Sequence, residues 1–198
     1  MTREPQSPLG LPFGRRQTVF DLPQRVRLVD RSDLGCVLVN CAVDAADVVA
    51  ACSRALGVGL PREPGSTAQS SPGTAAWLTP RSWLVQCRVE DEEALADAVN
   101  QAFPDRTASA ALYSDALAWL DLDGPAAWDL LTEGAFVTLE RAGFAVGRSK
   151  RTPVAGIPAI VLRIDDTHWQ LGVERSRARY FAQRLGAVAR TLAALPGR

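Results

Sequence analysis

A single histidine, His168, is all the imidazole this chain has. It stands beside Trp169 in a strand-like run, with no adjacent nucleophile and orienting group of the kind a catalytic base requires. It is therefore read as structural. Hydrolase, zincin and phosphate-loop signatures are absent. The four cysteines, Cys36, Cys41, Cys52 and Cys87, form no C-x-x-C pair and no metal spacing. Cys36 and Cys41 are an odd number of residues apart, so on one strand they point to opposite faces. Buried, reduced thiols are expected, and with them a cytoplasmic setting. No run approaches the roughly 20 apolar residues of a membrane span, and Met1 to Arg16 holds no signal-peptide core; no membrane partner is expected. An excess of positive charge is also missing. Lys+Arg and Asp+Glu each number 22, a balance that argues against nucleic acid as partner. Lys150 is the sole lysine. Gly57-Val58-Gly59 imitates a dinucleotide turn, but its sixth position is Arg62 and it follows a helix instead of a strand, so it is rejected as a cofactor site.

With 47% hydrophobic and 22% charged residues the 198-residue chain has an ordinary globular composition. Residues 1–24 carry Pro5, Pro8, Pro12 and Pro23 with little periodicity and are expected to form an extended arm. Residues 57–73 read as a long loop. Between these, Arg25 to Asp30 and Cys36 to Cys41 are strand-like. Asp44 is placed to cap a helix reaching Leu56, with Val48, Val49, Cys52 and Leu56 on one face. Ala75 to Leu78 and Trp83 to Arg88 make a hairpin about Thr79-Pro80-Arg81-Ser82. A helix from Glu90 to Phe103 starts acidic (Glu90, Asp91, Glu92, Glu93), which suits the helix dipole better than a metal. Ala108 to Tyr113 closes this half as a strand.

The second half repeats the order. Ala116 to Leu122 is a strand, and Gly124-Pro125 opens a helix bearing Trp128, Leu130 and Leu131. A loop with Gly143, Gly147 and Pro153 follows. Ile157 to Ile164 and His168 to Glu174 form a hairpin about Asp165-Asp166-Thr167. The last helix, Arg177 to Leu195, has Phe181, Leu185, Val188, Leu192 and Leu195 in one stripe. Aligning Val39-Asn40 with Leu122-Asp123, and Leu60-Pro61 with the Leu139 region, sets Trp83 opposite Trp169. Each half then reads β-α-β-β-α, as in a ferredoxin-like unit. The expected fold is α+β: two packed ferredoxin-like lobes related by internal duplication, residues 25–113 and 114–198, each needing a cover for its sheet. Trp83 and Trp169 are expected to brace the lobes.

Few residues stand out as a binding site. Arg148, Lys150 and Arg151, between Gly147 and Pro153, make a basic loop suited to a carboxylate, a phosphate or a partner surface. Arg175, Arg177 and Arg179 crowd the start of the last helix, where cations oppose the dipole. Arg175 is the candidate for a buried ion pair.

Leu120-Asp121-Leu122-Asp123-Gly124-Pro125-Ala126-Ala127-Trp128-Asp129-Leu130-Leu131 is followed by Gly143 to Gly147, Arg151-Thr152 and Ile157-Pro158. Then come Trp169-Gln170-Leu171-Gly172-Val173, Arg175-Ser176 and Arg184-Leu185. This ordered set, between about Ala108 and Val188, resembles the gamma subunit of heterotetrameric sarcosine oxidase. In the first half Trp77-Leu78 and Trp83-Leu84-Val85 resemble a hairpin of that family, except that Thr79-Pro80-Arg81-Ser82 lacks its glycine and acids. The resemblance implies a fold related to the folate-binding domains of the glycine-cleavage T-protein. It also implies a complex that demethylates sarcosine oxidatively, forms hydrogen peroxide and passes the one-carbon unit to tetrahydrofolate. Alpha-, beta- and delta-type subunits are the implied partners, chiefly alpha. FAD, covalent FMN, NAD, tetrahydrofolate and zinc are implied in those subunits and none in this chain. No catalytic, cofactor or metal residue is assigned here. Gly147, Arg148, Lys150, Arg151 and Arg175 are the candidate partner contacts, with the proline-rich arm. Two other readings stay open: a stand-alone folate-binding transferase using Asp121 or Asp123, and a small-molecule sensor built from paired ferredoxin-like domains.

Overall fold

The structure is a computed structural model, and it describes residues 5–71, 73–135 and 144–194. Leu139, Gly143 and Leu195 lie outside the described residues. Two units are distinguished: Asp33–Asp115, and the residues up to Ser32 together with those from Ala116 onward.

The Asp33–Asp115 unit runs β3 (Leu34–Cys41), α1 (Ala46–Leu56), β4 (Thr67–Ser70), β5 (Gly73–Thr79), β6 (Ser82–Arg88), α2 (Glu92–Ala102) and β7 (Ala108–Leu112). Its antiparallel sheet has the order β4-β5-β6-β3-β7. Val37, Val39 and Cys41 alternate onto the face that meets Val49, Cys52 and Leu56 of α1 and Val99 of α2. Burying side chains of this size contributes about 1.5–3 kcal/mol each, so this face sets the register of the whole unit.

The other unit contains β1 (Arg16–Leu22), β2 (Val26–Arg31), β8 (Leu117–Asp123), the short α3 (Ala127–Asp129), β9 (Ser149–Val154), β10 (Ile157–Arg163), β11 (His168–Glu174) and α4 (Ala178–Ala193). Its order is β1-β2-β8-β11-β10-β9. The two orders correspond strand for strand: β9, β10, β11, β8 and β2 take the places of β4, β5, β6, β3 and β7. Trp83 lies opposite Val39 and Trp169 opposite Leu122, as the aligned halves require. Each tryptophan is fully buried in the core of its own unit.

Several expectations change. The lobe boundary falls at residue 33, not 25, because Val26 to Arg31 pairs with β8 and fills the place that β7 fills in the other sheet. The chain has no strand after α4 within the described residues, so the N-terminal hairpin supplies it. Accordingly residues 16–22 are a strand with β2 as partner, and the segment before it is not extended but folds back on itself, Gln6 bridging Pro12 and Ser7 buried. The expected loop 57–73 contains β4, and the basic loop contains β9. Both are edge strands whose outer residues are polar or proline, so they carry little apolar alternation. α1 begins after Ala45 without a side-chain cap, since Asp44 pairs with Arg62 at 2.8 Å. Gly57 ends α1 in the left-handed conformation (φ 67°), which gives the dinucleotide-like glycine a purely helical reason. Among the described residues no helix is long and apolar enough to cross a membrane.

Candidate functional site

Leu117 to Asp123 is buried on both faces from Ala118 to Leu122. Ala118, Leu120 and Leu122 enter the core, which directs Trp119, Asp121 and Asp123 to the opposite face of the sheet. Asp121 is nonetheless fully buried. The strands on either side give it its surroundings: Val29 on β2 and Gln170 on β11 lie directly opposite in the ladder.

Three basic side chains converge on one oxygen. Asp121 Oδ2 accepts from the Arg31 guanidinium at 2.7 Å and from Arg16 at 3.0 Å, and His168 Nε2 lies 3.4 Å away. The Arg31 side chain is 13% exposed and that of Arg16 54%, so Arg31 carries most of the interaction and Arg16 is screened by water. The imidazole lies close to the carboxylate without the alignment of a hydrogen bond. Burial pushes the Asp121 carboxyl upward, but His168 and Arg31 outweigh it and the net displacement is downward. The Asp121 carboxylate raises the His168 pKa above 6.5 against the opposing effect of burial, with Asp123 and Asp165 assisting. Next along the strand, Asp123 pairs with Arg27 at 3.1 Å. A carboxylate held ionised by surrounding cations is a poor proton acceptor near neutral pH. The arrangement joins strands, and the two aspartates offered for a transferase are both engaged in it.

On the helix-facing side, Trp169 stacks on Phe144 at 5.8 Å with rings 7° apart, and meets Trp128 at 5.6 Å. The Arg163 guanidinium lies 5.5 Å from the Trp169 ring and 5.7 Å from that of Trp128. It also donates to the carbonyl of Phe144 and to Asp166, both at 2.7 Å. The equivalent Trp83 instead donates its Nε1–H to the carbonyl of Pro61 at 2.6 Å.

The expected contact residues are dispersed. Gly147 donates its N–H to the Arg163 carbonyl, and the Arg148 carbonyl accepts from the Arg163 N–H. Lys150 and Arg151 are exposed on β9. Arg175 is half-buried and anchored by its backbone N–H to Ala116. The ion pair expected of it belongs elsewhere: Arg177 pairs with Glu174 at 3.1 Å, and the buried pair is Arg31 with Asp121. Sequence reasoning missed Arg16 and Arg31; the available signal was an aspartate inside an apolar strand, which demands a cation. The four cysteines are buried and form no disulfide. Burial holds Cys52 and Cys87 up at about 12, and Cys41 is raised as well. Among the described residues no three His, Cys, Asp or Glu side chains converge as a metal site would need.

The profile of the sarcosine oxidase, gamma subunit family matches residues 41–190. This chain belongs to that family. It is 32% identical over 123 residues to the sarcosine oxidase subunit gamma of Corynebacterium sp. (strain U-96), a stretch covering 62% of this chain and 59% of the relative. The chain thus matches somewhat over half the length of that curated relative. Among solved structures, a chain of the heterotetrameric sarcosine oxidase from Corynebacterium sp. U-96, in complex with pyrrole 2-carboxylate, superposes with a TM-score of 0.79. The identity is 25%, over 89% of this chain and 90% of that one. The glycine cleavage system aminomethyltransferase T from Bartonella henselae shares the fold at a TM-score of 0.60 and 12% identity, over 81% of this chain and 45% of that one. The ferredoxin-like strand order occurs in both sheets of this chain.

Proposed function

We propose that this chain is the gamma-type subunit of a heterotetrameric, flavin-dependent sarcosine oxidase-like complex, and that it brings no catalytic group of its own. The observation that carries the reading is the family match over residues 41–190, joined to a superposition that spans nearly all of both chains. The local chemistry agrees with it: the fully buried Asp121 carboxylate is neutralised by arginines, and the histidine lies against the same carboxylate. In this reading the complex oxidises sarcosine or a related N-methyl amine in the cytoplasm, releases hydrogen peroxide, and passes the one-carbon unit to tetrahydrofolate. FAD, FMN, NAD, tetrahydrofolate and zinc belong to the alpha-, beta- and delta-type partners. The alpha-type subunit is the chief contact, reached through the exposed Lys150 and Arg151 of β9, with Gly147, Arg148 and, separately, Arg175 as further contacts.

The test is co-expression of this chain with the three other subunits from its own host, followed by native mass spectrometry and a peroxide assay with sarcosine. A four-component particle whose yield or activity falls when this chain is left out supports the reading. An active three-subunit oxidase that never retains the chain overturns it. Calorimetry of the isolated chain with tetrahydrofolate addresses the stand-alone transferase, which requires tight binding there.

A further inference from the structure

A groove of about 500 Å³ lies beside α4, on the side of β1 and the segment before it. Its apolar wall is formed by Leu9, Val19 and Phe20, all half-buried. Its helix wall is formed by Ala182 and Gly186, whose smallness keeps the groove open. A side chain at Gly186 would press on Phe20, 3.1 Å from the nearest ring atom. Arg179 and Arg190 stand exposed at its two ends. Among the described residues neither guanidinium has a hydrogen bond or ion pair. They are separated by about 16 Å along the helix axis, from the rise of 1.5 Å per residue. A second cavity of about 560 Å³ continues along α4, lined by Leu22, Val26, Leu130, Ala189 and Leu192.

We infer that this face of α4 docks an extended, acidic and apolar polypeptide segment of a partner subunit, its carboxylates meeting Arg179 and Arg190. Charge complementarity sets the sign: two unanswered cations flank an apolar floor, and a bound apolar segment would strand them unless it brought anions. Length sets the class. The two cavities together follow α4 for about 20 Å, some six residues of extended chain at about 3.3 Å each, whereas a compact metabolite would fill only one. Carboxylates about five residues apart on an extended segment match the arginine spacing. Arg179 lies in the first turn of α4, where a cation opposes the helix dipole. An incoming carboxylate would be favoured by both. This inference rests on the reading of the chain as a subunit, and adds a contact surface distinct from β9.

The experiment uses the co-expressed complex with the variant Arg179→Glu/Arg190→Glu, and Arg54→Glu on α1 as control. Arg179→Glu places an acid where the dipole favours one and Arg190→Glu places one where it is opposed, so the two changes offset and the thermal melt of the isolated variant should stay close to that of the parent chain. The expected result is at least about ten-fold weaker assembly of the double variant, normal assembly of the control, and amide-exchange protection over residues 18–20 and 179–190 in the parent complex. Equal assembly of the double variant, or protection confined to other segments, overturns the inference and leaves the subunit reading standing. A parent chain that assembles with no subunit removes both. Self-association of the isolated chain that the double variant abolishes would assign the groove to a second copy and overturn the inference as well.

Discussion

Arg31 and Asp121 are ninety residues apart in sequence and 2.7 Å apart in space. Their pairing locks the N-terminal hairpin beside β8, in the place that β7 occupies in the other sheet. The equivalent of Asp121 in that other sheet, by register through Trp83 and Trp169, is Leu38. One copy of the duplicated sheet thus uses an aliphatic residue where the other uses a buried ion pair. Removing one partner of such a pair leaves an uncompensated buried charge, at a cost of about 3–5 kcal/mol. Asp121→Asn and Arg31→Ala are both expected in that range by denaturant titration. Arg16→Ala, at the exposed contact, should cost under about 1 kcal/mol. Equal losses for Arg16→Ala and Arg31→Ala would refute the ranking.

His168 makes this cluster sensitive to pH. Its pKa is raised in the folded chain, so its contribution is fully present below the ordinary value near 6.5 and is lost as pH rises through the folded value. Asp121, displaced downward, contributes above its ordinary range and is lost only in acid. Stability measured from pH 6 to 9 should therefore fall for the parent chain relative to His168→Gln, whose curve lacks this step. Parallel curves would show that the imidazole and the carboxylate do not interact.

Local signals carried much of the fold into the sequence reading. The Asp165-Asp166-Thr167 turn is legible because Asp165 accepts from the N–H groups of Thr167 and His168, a geometry that aspartate promotes from its own side chain. The stripe of Phe181 and Leu185 on α4 is legible for the same local reason. What was not legible depends on distant partners. Arg16 to Leu22 looks like an arm until β2 lies beside it, and β2 looks like the first strand of its own half until β8 claims it. β9, at the sheet edge, contains Lys150, Arg151 and Pro153, which guard an edge and erase the alternation that would reveal it. The ion cluster hides for a related reason: its members come from four strands, β1, β2, β8 and β11.

Gly172 and Trp119 give a direct steric test. They face each other across β11 and β8, and a Cβ at Gly172 would sit 2.8 Å from Trp119 Cζ3. Trp119 is only 3% exposed and has little room to turn away. Gly172→Ala is expected to destabilise by about 1–3 kcal/mol, the usual cost of overpacking, and to shift tryptophan emission as Trp119 moves. Pairing it with Trp119→Leu should recover most of the loss, because the clash then has no ring to strike. No recovery would place the strain in the backbone of β11.

The cysteines provide a further check, since their reading as inert was made from spacing and their surroundings are now defined. Cys41 and Cys52 place their sulfurs 3.9 Å apart inside the first core, and Cys36 and Cys87 are equally enclosed. With Cys52 and Cys87 held at about 12 by burial, almost no thiolate exists at pH 8, and thiolate is the reactive form. An aromatic disulfide reagent at that pH should titrate essentially no thiol in the folded chain and all four after unfolding in guanidinium. The rate of labelling in intermediate denaturant should follow unfolding of this unit, because the thiols sit on β3, α1 and β6 of one sheet-and-helix unit and are all buried. A thiol that reacts within seconds under native conditions would contradict the placement of that cysteine.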